Sequence, residues 1–269
     1  YAESTIKSSI ILIKNFLKFT AKNNIKDIIV EDIKKFCRYK KLNKVCSSTI
    51  ENNIGYLRSF FRWLAKEGLI LINPMDKIEM PRAEYKLPLD ILSEKEILKL
   101  INSPDTRNLK GKRDRAIIET MYSTGIRVSE LCNLKIQDLD LANGYLRVNQ
   151  GKGLKDRIVP LGKKSSEAIK KYLIGIKEPK EYVFLAQTNQ KELSYMTIIN
   201  LIKGYGASLN IKVSPHTLRR TFATHMIKRG ANVMSVKAML GHKKITTIER
   251  YVKLAIKDLK EEHAKCHGR

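Results

Sequence analysis

Cysteine is scarce in this 269-residue chain, and its spacing excludes two classes of protein. The four cysteines are Cys37, Cys46, Cys132 and Cys266, and no two of them form a Cys-x-x-Cys pair. This spacing provides neither a zinc site nor the disulfide framework of a small secreted domain. The sequence therefore predicts no metal ligand set, and it indicates a reducing environment inside the cell.

Long apolar runs are also missing. No stretch approaches the ~20 apolar residues that cross a bilayer, and no segment has the form of a signal peptide. We therefore expect a cytoplasmic protein that has no membrane partner.

Acidic side chains are few compared with basic ones. The chain has 27 Asp and Glu against 52 Lys and Arg, which gives a net charge of +25. Residues 1–88 contain 17 basic and 9 acidic side chains, so the excess is not confined to one basic tail. Because such a surplus opposes compaction, it predicts a polyanionic partner such as nucleic acid. A lysine bias inherited from an AT-rich genome is the alternative explanation of the charge alone.

Helical periodicity dominates the first part of the chain. Apolar residues recur at helical spacing over residues 5–19 and 48–65, and Val30 begins another helix between them. The predicted apolar face of the first helix contains Ile6, Ile10, Ile13, Phe16 and Leu17. That of the third contains Ile50, Ile54, Leu57, Phe60, Phe61 and Leu64.

Prolines then interrupt the helical pattern and predict a domain linker. Pro74, Pro81 and Pro88 lie within a charged stretch, and Ser93 with Glu96 forms a capping box that opens a new helix. We place a helical DNA-binding domain at residues 1–77, a linker at residues 78–89 and a second domain at residues 90–269.

A short β region is predicted within the second domain. Asn143-Gly144 is a hairpin turn signal, and Arg157-Ile-Val-Pro pairs back on the strand before it. The fold class is therefore mainly α with a small three-stranded antiparallel sheet. Lys152 lies between two glycines at the tip of the second hairpin, where a flexible amine can deliver a proton. An ordinary solvated lysine is the alternative.

The segment Ser214-Pro-His-Thr-Leu-Arg predicts an anion site at the start of a helix. Ser214 suits the N-cap, Pro215 suits the first helical position, and His216 and Arg219 share one face. The free N–H groups of the first turn attract an anion, and an arginine adds two parallel hydrogen bonds to a phosphate. A surface histidine beside an incidental arginine is the alternative.

A second arginine lies in Thr-Gly-Ile-Arg-Val-Ser-Glu-Leu. Gly125 is placed to end a helix, and Glu130 follows Arg127 by three residues, so its carboxylate can hold the guanidinium in one rotamer. A surface salt bridge of little energetic value is the alternative.

Two further residues complete the pattern. Gly241 is the expected C-cap of the helix before His242, and Thr246-Thr-Ile-Glu is a capping box that opens the helix with Tyr251. A tyrosine in such a helix is usually part of the core. Its position nine residues beyond His242 favours a functional interpretation.

Together these motifs resemble those of the tyrosine recombinases of the phage-integrase superfamily, in the style of Xer-type and mobile-element integrases. The resemblance covers nearly the whole chain and implies a helical N-terminal core-binding domain followed by an α+β catalytic domain. Two departures are small: Arg220 stands where Xer relatives often have histidine, and His267-Gly-Arg replaces His-Pro-Arg.

The resemblance also implies roles for the site residues. The implied catalytic set is Arg127, Lys152, His216, Arg219, His242 and Tyr251, with Glu130 in support. Tyr251 would attack the scissile phosphorus to form a 3′-phosphotyrosyl bond, and Lys152 would protonate the leaving 5′-oxygen. His216 is the expected proton acceptor or orienting group for Tyr251, and the sequence leaves open which residue deprotonates it. No metal or other cofactor is implied.

The implied partner is double-stranded DNA, bound by a homo-tetramer on two duplexes. The sequence leaves open whether the protein is a monomer in solution before it binds DNA. A C-terminal helix at residues 254–267 would dock in a neighbouring subunit or pack on its own domain. The candidate base-contacting residues are Thr5, Lys7, Thr49, Asn53 and Arg58. Two other functions fit the same residues: relaxation of DNA by a type IB topoisomerase, and DNA binding by a non-catalytic accessory protein.

Overall fold

The computed structural model describes residues 3–79, 90–149, 156–176, 181–186 and 192–241. The chain divides into two compact units, Tyr1–Lys86 and Leu87–Arg269. The domain bounds 1–77, 78–89 and 90–269 stay a prediction, since most of the linker lies outside the described residues. Within these described ranges, no helix is both long enough and apolar enough to cross a bilayer.

In the described part of the first unit, three α-helices surround an aromatic core. They are α1 (Glu3–Thr20), α2 (Val30–Leu42) and α3 (Ser47–Lys66), with a 3₁₀ turn at Ile25–Asp27. The ring of Phe16 on α1 meets those of Phe36 on α2 and Phe61 on α3 edge to face, at centroid distances of 5.2 and 6.1 Å. Burial of these three rings joins the helices, because aromatic side chains bury large apolar areas.

The buried face of α1 differs from the predicted one. Leu12 and Phe16 are buried, whereas Ile6 and Ile10 are 46% and 44% exposed. The helix has apolar residues on most of its circumference, so periodicity alone does not choose the side that packs. The prediction for α3 is confirmed in its centre, since Ile54, Leu57, Phe61 and Leu64 are all buried.

The second unit is built around one central helix. The helices in its described part are α4 (Glu94–Asn102), α5 (Leu109–Thr124), α6 (Val128–Cys132), α7 (Lys163–Leu173), α8 (Tyr195–Ser208), α9 (Pro215–Lys228) and α10 (Val233–Leu240). Helix α5 packs against both α7 and α9. The predicted capping box opens α4: the Ser93 N–H donates to Glu96 Oε2 at 2.8 Å, and the Glu96 N–H donates to Ser93 Oγ at 3.3 Å.

The predicted three-stranded antiparallel sheet is confirmed. Its strands are β1 (Leu139–Asp140), β2 (Tyr145–Val148) and β3 (Arg157–Pro160), in the order β1-β2-β3. Leu146 pairs with Leu139 on one side and with Val159 on the other. Gly144 closes the first hairpin with a φ of +73°, a conformation that favours glycine. Helix α10 packs against β3, which brings the sheet to the side of the unit where α10 ends.

Candidate active site

The first part of the site is formed where α5 ends and α6 begins. Gly125 ends α5 with a φ of +62°, as the sequence predicted. Two residues later, Arg127 is bound to Glu130 twice: its backbone N–H donates to Oε2 and its Nη1 donates to Oε1, each at 2.7 Å. The Arg127 side chain is still 39% exposed. The guanidinium is therefore held in one orientation and remains accessible to a ligand.

The second part is the N-terminal turn of α9. Ser214 Oγ accepts the Thr217 N–H at 3.2 Å, and Pro215 occupies the start of the helix, as predicted. Arg219 is only 5% exposed, whereas His216 is exposed. The Arg219 guanidinium donates to the carbonyl oxygen of Gly125 and, at 2.6 Å, to that of Leu240. These bonds orient Arg219 toward the turn that carries Arg127.

The two parts face one small cleft. Its volume is about 130 Å³, and its lining includes Arg127, Ser129, Tyr195, His216 and Arg219. Three residues that the sequence proposed for catalysis are thus brought together from positions up to 92 apart in the chain. The sequence had assigned no role to Tyr195, which is 47% exposed at this cleft.

Three guanidinium groups converge on the C-terminal end of α10. Arg157 Nε donates to the carbonyl of Met239 at 2.7 Å, Arg219 donates to that of Leu240, and Arg127 Nη2 donates to that of Gly241 at 3.1 Å. The last carbonyls of a helix lack intrahelical donors and carry partial negative charge, so cations stabilise them. The chain immediately before His242 is therefore tied to both predicted phosphate-binding arginines.

Arg157 is the residue that the sequence analysis missed. Its Nη1 and Nη2 donate to Glu130 Oε1 and Oε2 at 3.0 and 2.8 Å. One signal was available in the sequence of β3, because strand residues alternate between two faces. Arg157 shares its face with the buried Val159, while Ile158 is 68% exposed. Arg157 is therefore a charged residue on the inner face of the strand. A charge in that position indicates that it has a buried partner.

The charges of the site shift two pKa values. Burial raises the pKa of Glu130, but hydrogen bonds from Arg157 and Arg127 outweigh it, and the pKa lies below the ordinary value for glutamate. The carboxylate is therefore ionised near neutral pH. Partial desolvation of the imidazole at the cleft, and then the positive charges of Arg220, Arg219 and Arg127, lower the pKa of His216. Its ring is therefore neutral near pH 7 and can accept a proton.

Other predicted residues lie elsewhere or outside the described part of the chain. Lys152, His242, Tyr251 and the segment 254–267 are outside the described residues, so their roles stay predictions. The five candidate base-contacting residues are on α1 (Thr5 and Lys7) and on α3 (Thr49, Asn53 and Arg58). Arg58 donates to the carbonyl of Ile78 at 2.7 Å, which gives it a structural role within the first unit. In the described ranges, no cluster of His, Cys, Asp and Glu is arranged to hold a metal ion.

Comparison with known proteins places this architecture in a family. Residues 90–257 match the phage integrase family, and residues 1–70 match the phage integrase N-terminal SAM-like domain. A tyrosine recombinase of Thermosipho africanus is 36% identical over 262 residues, covering 95% of this chain and 90% of that protein. Tyrosine recombinase XerD of Listeria monocytogenes is 36% identical over 247 residues, covering 88% and 82%.

Solved structures show the same fold. The crystal structure of XerA recombinase has a TM-score of 0.58 at 27% identity and covers 98% of this chain and 92% of its own. A lambda integrase dimer bound to a COC′ core site has a TM-score of 0.76 at 21% identity and covers 93% and 89%.

The two-unit fold and the arginine-lined cleft define an enzyme of the integrase class, which acts on DNA. The chain belongs to the phage integrase family and is a tyrosine site-specific recombinase.

Proposed function

We propose that this recombinase cuts and rejoins DNA through a 3′-phosphotyrosyl bond at Tyr251. The phenol oxygen attacks the scissile phosphorus, and the bond to the 5′-oxygen breaks to release a 5′-hydroxyl. A 5′-hydroxyl from the partner strand then attacks the phosphotyrosyl bond and releases Tyr251. The covalent intermediate conserves the ester, so the reaction needs neither ATP nor hydrolysis. The convergence of Arg127, His216 and Arg219 on one cleft is the observation that carries this proposal.

The cleft suits one phosphate group. Its volume of about 130 Å³ is below the ~300–1,000 Å³ usual for pockets that hold drug-sized ligands. Arg127 reaches it from the start of α6, and α9 directs the positive end of its helix dipole at it, which favours an anion. Because Arg127 is oriented before substrate binds, its donors are aimed at the charge that develops on the transition state. Such a donor contributes about 10²–10³ in rate.

Proton transfer then has to activate the nucleophile and the leaving group. A free tyrosine has a pKa of about 10, so a base assists its ionisation near neutral pH. His216 is suited to this role because its lowered pKa keeps the ring neutral. Lys152 protonates the leaving 5′-oxygen, and His242 donates to a non-bridging oxygen. The arginines supply the positive charge that a metal ion supplies in metal-dependent nucleases.

The test is covalent capture of DNA by paired tyrosine variants. The substrate is a duplex of the DNA that flanks the gene. It carries a nick close to the cleavage site, so that cleavage releases a short fragment with the 5′-hydroxyl. This fragment diffuses away and cannot reverse the reaction, so the covalent adduct accumulates. We expect Tyr251→Phe to bind this DNA and form no adduct on a denaturing gel. Tyr195→Phe is the matched control, because it removes the hydroxyl group of the tyrosine that lines the cleft. This variant should still form the adduct. An adduct with Tyr251→Phe would show that another residue is the nucleophile.

We further propose that four copies act on two duplexes. A lambda integrase tetramer bound to a Holliday junction shares this fold, with a TM-score of 0.76 at 20% identity. The segment 254–267 would dock head to tail in a neighbouring subunit, a contact that closes into a ring. Light scattering should detect four chains per two duplexes. Deletion of residues 254–269 should leave single-site binding and abolish the larger complex; an unchanged complex would refute docking in trans.

A pair of assays separates recombination from simple relaxation. The protein is incubated with a plasmid that carries two sites, and strand exchange and loss of supercoils are measured together. We expect strand exchange. Relaxation without exchange would instead indicate the activity of a type IB topoisomerase. The flanking DNA also separates chromosome-dimer resolution from mobile-element integration or excision, since a transposon end beside the gene would favour the second role.

A further inference from the structure

We infer that Arg157 is a positioning residue for DNA cleavage, acting on the phosphate-binding guanidinium of Arg127 through the carboxylate of Glu130. This inference rests on the proposed function, because it assigns Arg127 to the scissile phosphate. It concerns a residue outside the catalytic set that the sequence motifs indicate.

The geometry gives Glu130 two equal partners. Each carboxylate oxygen accepts one hydrogen bond from Arg127 and one from Arg157, at distances from 2.7 to 3.0 Å. Arg127 binds through its backbone N–H and Nη1, and Arg157 binds through both Nη atoms. A carboxylate has about four lone-pair directions, so the two arginines together satisfy it. Without Arg157, the Glu130 carboxylate would be bound only by Arg127, which begins the same short helix. No group on another element would then hold the rotamer of Glu130.

Arg157 also binds the end of α10, where the second acceptor of the Arg127 side chain lies. Its Nε donates to the Met239 carbonyl, two residues before the Gly241 carbonyl that accepts from Arg127 Nη2. Arg157 therefore ties β3 directly to Glu130, one acceptor of the Arg127 side chain, and to the helix end that carries the other acceptor. Its own side chain is only 10% exposed, against 39% for Arg127. This burial leaves Arg127 as the group that reaches DNA, while Arg157 acts through its neighbours.

The charges around Glu130 make the effect sensitive to pH. Among the residues that the structure describes, Glu130 forms ion pairs with Arg127 at the start of its own helix and with Arg157 on β3, while α10 presents backbone carbonyls to both arginines. Arg219 on α9 donates to the same end of α10. Burial raises the pKa of Glu130, and the hydrogen bonds of Arg157 oppose that rise. Loss of Arg157 therefore favours a protonated Glu130, which holds Arg127 less well.

The experiment measures single-turnover cleavage by Arg157→Gln across mildly acidic to mildly alkaline pH. We expect the rate to fall by about 10²-fold, the typical result of a small misplacement of a catalytic group. The loss should be larger at the acidic end, so the acidic limb of the pH profile should move to higher pH. DNA affinity should change little. Arg157→Lys retains the positive charge but loses the two parallel donors of the guanidinium. It should therefore restore part of the cleavage rate and move the acidic limb of the pH profile part of the way back.

Arg113 provides a matched control in the same unit. It is also buried, it donates twice to one carboxylate oxygen of Asp114, and it donates to the carbonyl of Leu185 at 2.9 Å. Arg113→Gln should lower the melting temperature without moving the pH profile of cleavage. A second check uses the Glu130→Gln background. There, Arg157→Gln should slow cleavage by less than about threefold, since residues that act through one another are not additive.

Each result bears on the inference separately from the proposed function. If the parent protein forms no covalent adduct, the proposed function fails first. If the parent cleaves and Arg157→Gln matches its rate and pH profile, Arg157 does not position Arg127. The inference also fails if Arg113→Gln reproduces the same shift, because the effect is then general destabilisation. Should Arg157→Gln not fold, Arg157→Lys decides: a parental rate and profile would overturn the inference.

Discussion

Substitution of Gly125 by alanine should both destabilise the second unit and move the groups that orient Arg219 in the site. Gly125 has a φ of +62°, which costs an L-residue about 1–2 kcal/mol. Its added Cβ would lie 2.8 Å from Cδ2 of Leu240 and closer still to Cδ1 of Phe222. Forcing extra atoms into a packed core costs a further 1–3 kcal/mol, roughly. The total is about 2–5 kcal/mol.

Thermal unfolding, followed by circular dichroism, measures this loss. For a domain of this size each kcal/mol lowers the melting temperature by about 2–4 °C. The matched control is Gly230→Ala. Gly230 has a φ of +85°, and no described atom lies within 4 Å of the place that an added Cβ would take, so it carries the backbone cost alone. We expect Gly125→Ala to lose about twice as much stability as Gly230→Ala. Equal losses would refute the packing argument.

The same substitution should slow DNA cleavage in the protein that remains folded. The Gly125 carbonyl accepts from Arg219, and so does the carbonyl of Leu240, whose side chain the new methyl group would push. Movement of either acceptor reorients that guanidinium. Gly230→Ala touches neither, so its cleavage rate should remain close to that of the parent at a temperature where both are folded. A parental rate in Gly125→Ala would show that Arg219 tolerates the shift.

Two further predictions concern solution conditions. Burial raises the pKa of Glu130, but its two arginines bring it below the ordinary value. Glu130 therefore stabilises the fold above its unfolded-state pKa of about 4.3, and this contribution is lost as the pH falls through the lower folded-state pKa. Urea titrations of the parent and Glu130→Gln should differ near neutral pH and converge in acid; a difference independent of pH would count against the ion pairs. DNA binding should weaken steeply with salt, because each neutralised phosphate contributes about −0.9 to the slope of log K against log salt. A nearly flat salt dependence would contradict phosphate binding by the arginines.

Features decided by a few neighbouring residues were predictable from the sequence. The capping box at Ser93, the N-cap at Ser214 and the glycine ends at Gly125 and Gly241 are all present. Each depends on a side chain that bonds its own helix end, or on a backbone angle that glycine favours. The sheet was predictable for a similar reason, since a turn signal joined two short apolar strands. Arg127 and Glu130 pair because the side chain of the third helical residue folds back on the residue that caps the helix.

Features that depend on distant partners were not predictable in the same way. The packing face of α1 is chosen by Phe36 and Phe61, which lie on other helices. Arg157 is one of many basic residues in the sequence. The alternation of β3 places it on the inner face of the strand, but its partners follow only from the fold, which sets β3 beside α6 and the end of α10.

The sequence alone determined which residue types were available for phosphate chemistry and which helix ends would present them, because those properties are local and strong. The tertiary structure alone decided that Arg127, His216 and Arg219 share one cleft and that three guanidinium groups meet at the last carbonyls of α10. The physical reason is that a buried charge needs a partner, and only the folded chain determines which distant groups become partners.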